Sequence, residues 1–177
     1  MILGFPKING DFLKHMKLKI LDYSLDQVCE IIPFHDKEGS ILEIFPQSRY
    51  ENKRNLPLNK YGEGPFCKFT INRKYSGKTG VYVILVDNDI HYIGECEDFF
   101  KRFGMGYGNI SPKNCFQGGQ PTNCRINSKI LSVFKLRKII KLYFFATKDR
   151  FRIEHELITI LNPKWNKTSG KPSKIRS

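Results

Sequence analysis

The feature that most restricts the fold of this chain is a hydrophobic hairpin near its centre. Residues 80–86 (GVYVILV) carry mainly β-branched and aromatic side chains, and residues 90–93 (IHYI) return to that pattern after the polar run 87–89. Such residues favour strands, and a short polar run between two such stretches is typical of a tight turn. The sequence therefore predicts a β-hairpin, and the other elements must pack around it.

The segments that follow the hairpin predict a mixed α/β core. Residues 97–103 place phenylalanines at helical spacing and predict a helix, and Ser128 is a suitable N-cap for a second helix. Residues 139–146 predict a buried strand, and a last helix is predicted from Asp149 through Ile160. The predicted fold class is α+β, with a small mixed β-sheet flanked by helices.

The N-terminal part is predicted to be an extension of this domain. Residues 24–27 have the spacing of a capping box and predict a short helix that ends at Pro33. Short strands are predicted at residues 41–45 and 67–71, with turn residues before the first of them. We therefore expect residues 1–75 to form an N-terminal extension or arm.

The main domain, residues 76–177, contains two segments that do not look like core. Residues 104–127 are rich in Gly, Asn and Pro and predict a polar insert that is long for a passive connection. Residues 167–177 are basic and contain Gly, Ser and Pro, which predicts a tail beyond the last helix.

The charge of the chain is positive and unevenly distributed. Thirty Lys and Arg against 17 Asp and Glu give +13, and residues 101–177 carry 17 basic and three acidic side chains. Such an excess attracts polyanions and favours a nucleic-acid partner, although a Lys-rich composition by itself is the simpler alternative. No apolar run has membrane-spanning length, and the N-terminus lacks the pattern of a signal peptide. We expect a soluble, cytoplasmic protein without a membrane partner.

The five cysteines are an odd set without a CxxC pair. A disulfide framework is unexpected in an intracellular chain of this length. A zinc site made of Cys96, Cys115 and Cys124 has spacings that match no standard template. Buried free thiols are the favoured interpretation.

Glu154 is the acidic residue whose position in the last predicted helix points to chemistry. It shares a helix face with Ile158 and Leu161, so its carboxylate is expected to point inward. An inward carboxylate needs either a salt bridge with an arginine or a bound cation. Hard cations such as Mg²⁺ take oxygen ligands, so the second interpretation predicts a metal-binding carboxylate.

Two tyrosines of the hairpin form a second candidate feature. The tripeptide at 80–82 (GVY) is followed, after nine intervening residues, by the tripeptide at 92–94 (YIG). Taken alone, strand tyrosines are more often packing residues than functional ones.

The hairpin pattern is continued by residues further along the chain. Arg102 lies ten residues after Tyr92, and Glu154 is followed by Pro163 and Asn166 at nine and twelve residues. This order of elements resembles the GIY-YIG nuclease family, and the resemblance covers residues 79–167.

The resemblance implies an activity, a cofactor and a set of site residues. It implies hydrolysis of phosphodiester bonds, with Glu154 as the protein ligand of a single divalent cation, Mg²⁺ or Mn²⁺. Arg102 would donate to phosphate oxygens, and Asn166 would orient the site. Tyr82 and Tyr92 would position or deprotonate the attacking water. A tyrosine base needs a pKa below its ordinary value near 10, and nearby cations are expected to lower the pKa.

The chain departs from the family pattern at two positions. Glu95 stands where many relatives have Lys or His. Gly106 stands one turn after Arg102, where many relatives have His or Tyr, and Tyr107 follows one residue later. These departures leave the identity of the general base open.

The insert at 104–127, together with an arm at 49–60, is expected to contact DNA. Amide and guanidinium side chains can read adenine and guanine edges, although a glycine-rich loop folded on its own surface is an equal alternative. The candidate DNA-binding residues are Lys101, Tyr107, Gln120, Asn123, Arg125 and Asn127.

These observations predict an endonuclease that acts on double-stranded DNA. By analogy with small stand-alone members of the family, a sequence-specific restriction-type enzyme is favoured, and cutting both strands suggests a homodimer. Two alternatives stay open: a structure-selective or RNA-processing nuclease, and a non-catalytic nucleic-acid-binding module. The inward Glu154 argues against the second, because binding alone does not require it.

Overall fold

The computed structural model describes residues 16–49, 51–52 and 55–167. The predicted tail beyond residue 167, residues 1–15 of the predicted N-terminal extension and three residues of the predicted arm at 49–60 lie outside the described residues. The β-strands of the described part are β1 (Lys17–Ile20), β2 (Tyr23–Glu30), β3 (Glu43–Ile44), β4 (Phe66–Cys67), β5 (Gly80–Val86), β6 (Asp89–Cys96) and β7 (Ile140–Ala146). Its α-helices are α1 (Pro121–Lys135) and α2 (Arg150–Leu161), and a π-helix spans Lys101–Tyr107.

A five-stranded sheet with the order β1-β2-β7-β5-β6 forms the centre of the molecule. Every neighbouring pair in this sheet is antiparallel, and β3 and β4 form a separate antiparallel pair. The predicted α+β class is confirmed, but the sheet is antiparallel rather than mixed. β7 returns between β2 and β5 in the direction opposite to both, so no parallel pair arises.

The predicted hairpin is confirmed as β5 and β6, and its two strands differ in their surroundings. β5 is buried along its whole length because it lies between β6 and β7, whereas β6 is the edge strand. Side chains alternate across β5: Tyr82 packs in the core cluster that contains α1 and the π-helix, and Val83 packs against α2. The two faces of the sheet are therefore covered by different elements, and both faces end at the edge strand β6.

The prediction of a helix that begins at residues 24–27 is wrong, because this segment lies in the strand β2. Leu25 and Gln27 are buried while Asp26 is exposed, which is the alternation of a strand. Pairing with β1 on one side and β7 on the other outweighs the local capping-box spacing. β2 thus joins residues of the predicted N-terminal extension to the central sheet.

The helix α1 begins at Pro121, seven residues before the predicted cap at Ser128. A proline at the first helical position is favourable, since the amide that it lacks has no partner inside the helix. Residues 123–127 of this helix are all buried, so the second half of the predicted polar insert belongs to the core. The prediction that residues 121–127 form a polar loop is wrong.

The last strand and helix agree closely with their predicted positions. β7 and α2 each differ by a single residue from the predicted start of the element. α2 ends at Asn162, whose left-handed conformation (φ 44°) stops the helix. Among the described residues, no helix is long and apolar enough to cross a bilayer.

The cysteines of the structure are all free thiols. Cys67, Cys96, Cys115 and Cys124 are buried and Cys29 is partly buried, in agreement with the interpretation from sequence. The described residues contain no group of three or more Cys, His, Asp and Glu that could hold a metal ion, so a three-cysteine zinc site is not formed.

Candidate functional site

A cavity of about 400 Å³ lies beside the edge strand β6. It collects side chains that are far apart in the sequence and that come from β5, β6, the π-helix, α2 and the start of α1. The residues that line it are Tyr82, Tyr92, Glu95, Arg102, Tyr107, Gly119, Gln120, Pro121, Thr122, Asn123 and Glu154. Four of the five predicted catalytic residues therefore share one cavity.

The cavity combines groups from both faces of the sheet. Tyr92 packs in the core cluster of α1 and the π-helix, whereas Glu95 binds Arg150 at the start of α2 with Oε2 2.6 Å from Nε. The two faces can meet only at an edge strand, because a central strand is covered by neighbours on both sides. The position of β6 at the edge is thus what allows the hydroxyl groups and the carboxylates to face one space.

Gly94 allows the tyrosine of β5 to reach the cavity. A Cβ atom at position 94 would overlap with the hydroxyl and the ring of Tyr82, which crosses directly over this residue. Tyr82 is 1% exposed and has no room to move aside. A glycine is therefore required at this position of the edge strand for steric reasons.

Three tyrosine hydroxyl groups form a buried cluster at the base of the cavity. The Oη of Tyr107 lies 2.8 Å from the Oη of Tyr82 and 3.4 Å from the Oη of Tyr92. The rings of all three residues pack in tilted or edge-to-face pairs, which fixes their positions. Tyr107, predicted as a DNA-binding residue, is thus the central member of this hydroxyl cluster.

The π-helix explains how Tyr107 reaches this place. Its hydrogen bonds span five residues, as in the bond of 2.6 Å from Gly108 N to Phe103 O. Residues five apart therefore lie one turn apart, and the guanidinium carbon of Arg102 lies 5.7 Å from the ring centre of Tyr107. In an α-helix, Gly106 would occupy that position. The apparent departure at Gly106 is thus compensated by the local helix geometry.

The tyrosine pKa values differ from the expectation. Burial raises the pKa of both Tyr82 and Tyr92 well above the ordinary value, and the neighbouring Tyr107 adds to the effect. The cations Arg102 and Arg125 oppose this shift but do not reverse it. Tyr82 and Tyr92 are therefore neutral hydrogen-bonding groups at physiological pH, and the expected phenolate is wrong for these two residues.

Glu154 faces the cavity, as predicted, although the helix face used for that prediction is only partly right: Ile158 is partly buried and Leu161 is exposed, and the buried residues of α2 are Ile153 and Leu157. Burial and the negative charge of Glu95 raise the pKa of Glu154 to about 7. A carboxyl group in this state is poorly stabilised as an anion by the protein alone. Glu95 itself is held by Arg150, whereas no ion pair of the described residues includes Glu154. The donor set therefore fits a cation that both carboxylates would face, with the remaining positions open to water.

Asn166 does not line the cavity but is bonded to its edge strand. Its Oδ1 accepts from the main-chain N of Ile93 at 3.0 Å, and its Nδ2 donates to the main-chain O of Ile93 at 2.8 Å. Beside it, Trp165 N donates to His91 O. Asn166 thus fastens the C-terminal segment to β6 between Tyr92 and Gly94, which agrees with an orienting role.

The predicted DNA-binding residues fall into an accessible group and a buried group. Lys101 and Gln120 are exposed, and Gln120 also lines the cavity. Asn123 lines the cavity at 3% exposure, and its Nδ2 donates to Gln120 Oε1 at 3.0 Å. Lys101 and Gln120 are therefore placed where a bound substrate could reach them, whereas Asn123 contributes to the cavity wall while nearly fully buried.

Arg125 and Asn127 have structural roles instead of the predicted contact with DNA. Arg125 is 7% exposed, donates to the main-chain O of Trp165 and lies over the ring of Tyr92. Asn127 is fully buried. Its Oδ1 accepts from the main-chain N of Cys67, and its Nδ2 donates to the main-chain O of Cys67 and of Tyr107. The Nη1 of Arg125 and both ends of the Asn127 amide are bonded inside the protein, because α1 turns this side toward the core, while the Nε of Arg125 is buried without a hydrogen-bond partner among the described residues.

The sequence interpretation missed two features of the site. Glu95 was noted only as a departure from a family pattern, although the structure places it in the cavity with Glu154. Of the wall formed by residues 119–122, only Gln120 was predicted as a binding residue; Gly119, Pro121 and Thr122 were missed, because the helix start at Pro121 was not predicted. The proline itself was the available signal for that helix start.

No protein-family model, curated protein or solved structure matches this chain. The interpretation of the cavity therefore depends on its geometry and on the order of the residues that line it.

Proposed function

We propose that this protein is a metal-dependent endonuclease of the GIY-YIG type that hydrolyses phosphodiester bonds in double-stranded DNA. One observation carries the proposal: Tyr82, Tyr92, Arg102, Tyr107 and Glu154, which come from four different elements, line a single cavity. A guanidinium, a buried carboxylate and a hydroxyl cluster are the groups that phosphodiester hydrolysis requires together. A module that only binds nucleic acid does not need a carboxylate facing its ligand, since this charge repels phosphate.

Each group of the cavity has a separate task in the proposed reaction. The guanidinium of Arg102 donates to the non-bridging oxygens and neutralises the negative charge that these oxygens carry in the transition state. The hydroxyl cluster, with Tyr107 in the middle, orients the attacking water through hydrogen bonds. Asn166 acts through β6, because it holds the strand that carries Tyr92.

A divalent cation would be held by Glu154, with Glu95 beside it. When bound, the cation polarises a phosphoryl oxygen and stabilises the leaving oxygen. Mg²⁺ keeps several waters and needs only one or two carboxylates, so a site without a third acidic ligand is sufficient. The raised pKa of Glu154 supports this assignment, since a cation would stabilise the anionic form.

The choice of a nucleic acid as substrate follows from charge, and the choice of DNA follows from the resemblance to the GIY-YIG family. The excess of +13 lies beyond residue 100, in the part of the chain that contains the π-helix, α1 and α2. A field of this sign attracts a phosphate backbone. A restriction-type enzyme, acting as a homodimer to cut both strands, is the form of this activity that we propose.

The proposal is tested by Glu154→Gln, with Glu156→Gln as the matched control on the same helix. Glu156 accepts a hydrogen bond from Tyr23 and lies outside the cavity lining. We expect Glu154→Gln to lose at least about 1,000-fold in single-turnover cleavage of plasmid DNA with Mg²⁺, because an amide binds a hard cation poorly. Glu156→Gln should cut within about threefold of the wild-type rate. Full cutting by Glu154→Gln, or by the wild type in EDTA, contradicts the proposal.

The same variant has a second readout that does not depend on activity. Because the pKa of Glu154 is raised to about 7, the folded state binds its proton more tightly than the unfolded state does. This contribution to stability is present at low pH and is lost as the pH rises through 7. In EDTA, Glu154→Gln should therefore have a higher Tm than the wild type at pH 8, and the difference should shrink toward pH 5. An unchanged difference across this range would contradict a buried, titrating Glu154.

A further inference from the structure

Lys60 and Lys167 both lie against the ring of Tyr61, although they are far apart in the sequence. Their Nζ atoms are 5.1 Å and 4.5 Å from the ring centre. Neither lysine takes part in an ion pair of the described residues. One ammonium over a ring is a favourable contact, but a second one nearby adds repulsion between like charges. An anion between the two ammonium groups would remove this repulsion.

The backbone around this lysine pair is fixed by hydrogen bonds. Asn59 binds the loop before α1 through its main-chain N to Cys115 O at 2.8 Å and its Nδ2 to Asn114 O at 2.7 Å. Its Oδ1 accepts from the main-chain N of Tyr61 at 2.9 Å. Lys167 follows directly on Asn166, which is bonded to the edge strand β6. The ring and the two chain segments that carry the lysines are therefore positioned in advance.

The lysine pair is connected to the cavity by a short chain of contacts. Asn114 accepts from the main-chain N of Gln120 at 3.3 Å through its Oδ1, and Gln120 lines the cavity. Asn114 is also the residue whose main-chain O holds Asn59. A chain of hydrogen bonds thus runs from Gln120 at the cavity through Asn114 and Asn59 to Tyr61.

We propose that Lys60, Tyr61 and Lys167 form a binding site for a backbone phosphate of the DNA whose scissile phosphate lies in the cavity. This inference rests on the proposed function, because it needs a polyanion that continues beyond the cavity. Duplex DNA carries one negative charge per about 1.7 Å of its axis, so a bound duplex presents further phosphates to the surface next to the cleavage site. Hydrogen bonding to Lys167 and Lys60 also lowers the pKa of Tyr61, which agrees with a concentrated positive field at this site.

The test compares two double variants, each of which removes two positive charges from a different place in the protein. Lys60→Gln/Lys167→Gln removes the proposed site. Lys74→Gln/Lys78→Gln is the matched control, because Lys74 also lies over a tyrosine, with Nζ 5.1 Å from the ring centre of Tyr75, in a groove that contains Asp26. Affinity for a short fluorescein-labelled DNA duplex is measured by anisotropy with Ca²⁺ in place of Mg²⁺, from about 0.05 to about 0.2 M salt.

We expect the first double variant to bind at least about tenfold more weakly at low salt, and its slope of log K against log salt to decrease in magnitude by about 1. The control should keep the wild-type slope. Equal losses in both variants, or none in the first, would overturn the site. A wild type that binds a duplex RNA of the same sequence at least about tenfold more tightly than the DNA would also overturn it, since the ligand would not be DNA.

The cleavage assay separates this inference from the proposed function. If the wild type cuts DNA and the two double variants bind alike, the lysine pair fails while the nuclease stands. If the first variant alone loses affinity and the wild type does not cut, the phosphate site stands while the nuclease fails. If the wild type binds neither duplex, both are overturned.

Discussion

The π-helix Lys101–Tyr107 and the start of α1 are neighbours in space, and both carry an arginine and other polar side chains, yet they use them in opposite ways. The π-helix directs Arg102 and the Tyr107 hydroxyl toward the cavity. The start of α1 buries Arg125 and Asn127, which bind main-chain groups of other segments. The first segment contributes side chains to the candidate site, whereas the second holds the walls of the cavity in place.

The difference between these two segments shows that a polar residue does not have to be a surface residue. A buried amide or guanidinium is stable only when its donors and acceptors are used, and Asn127 uses both ends of its amide. One of its bonds goes to the main-chain O of Tyr107, so the wall directly supports the hydroxyl cluster. Sequence composition treats both segments alike because it does not contain these bonding partners.

The largest expected effects distinguish the two arginines. Arg102→Ala should lose several orders of magnitude in single-turnover cleavage while DNA binding in Ca²⁺ and Tm change little, because its donors act mainly in the transition state. Arg125→Ala should lower the free energy of unfolding by about 2 kcal/mol, because the O of Trp165 loses its buried donor. Denaturant unfolding and cleavage of one defined duplex measure both quantities. The same profile for both variants would remove the distinction between the two segments.

An intermediate effect is expected from Tyr107→Phe, which removes only the central hydroxyl of the cluster. Cleavage should fall by about 100-fold, since positioned proton donors and acceptors contribute on this scale, while the ring packing is kept. Tyr143→Phe is the control, because it removes another buried tyrosine hydroxyl that does not line the cavity. This hydroxyl donates to Gln27 Oε1 at a distance of 3.1 Å. If both variants cut at similar rates, the hydroxyl cluster has a packing role only.

The smallest expected effect concerns the backbone of the π-helix. A Cβ at Gly106 would meet its neighbours at 3.5 Å or more, whereas a Cβ at Gly108 would overlap with the main-chain O of Phe69. Gly106→Ala should therefore stabilise the protein by about 0.5–1 kcal/mol, through lower entropy of the unfolded chain. Gly108→Ala should destabilise it. Destabilisation by Gly106→Ala in denaturant unfolding would show that the π-helix needs the freedom of a glycine there.

Much of the candidate site could be predicted from local sequence patterns. The inward position of Glu154 was predicted from helical periodicity, although the buried side of α2 is formed by Ile153 and Leu157 and Leu161 is exposed. The hairpin with Tyr82 and Tyr92 followed from strand propensity and a polar turn. In these segments the local preference of the chain and its tertiary surroundings agree, so neighbouring residues contained enough information.

The sequence by itself determined the α+β class, the hairpin and the helix that carries Glu154, because these depend on patterns within about twenty residues. Only the tertiary structure decided that residues 24–27 lie in β2, since strand pairing with β7 brings together segments that are distant in the chain. It alone decided that Tyr107 joins the hydroxyl cluster, because the hydrogen bonds of the π-helix change which residues lie one turn apart. Glu95 likewise faces Glu154 only because β6 is the edge of the sheet, and strand order is a property of the whole chain.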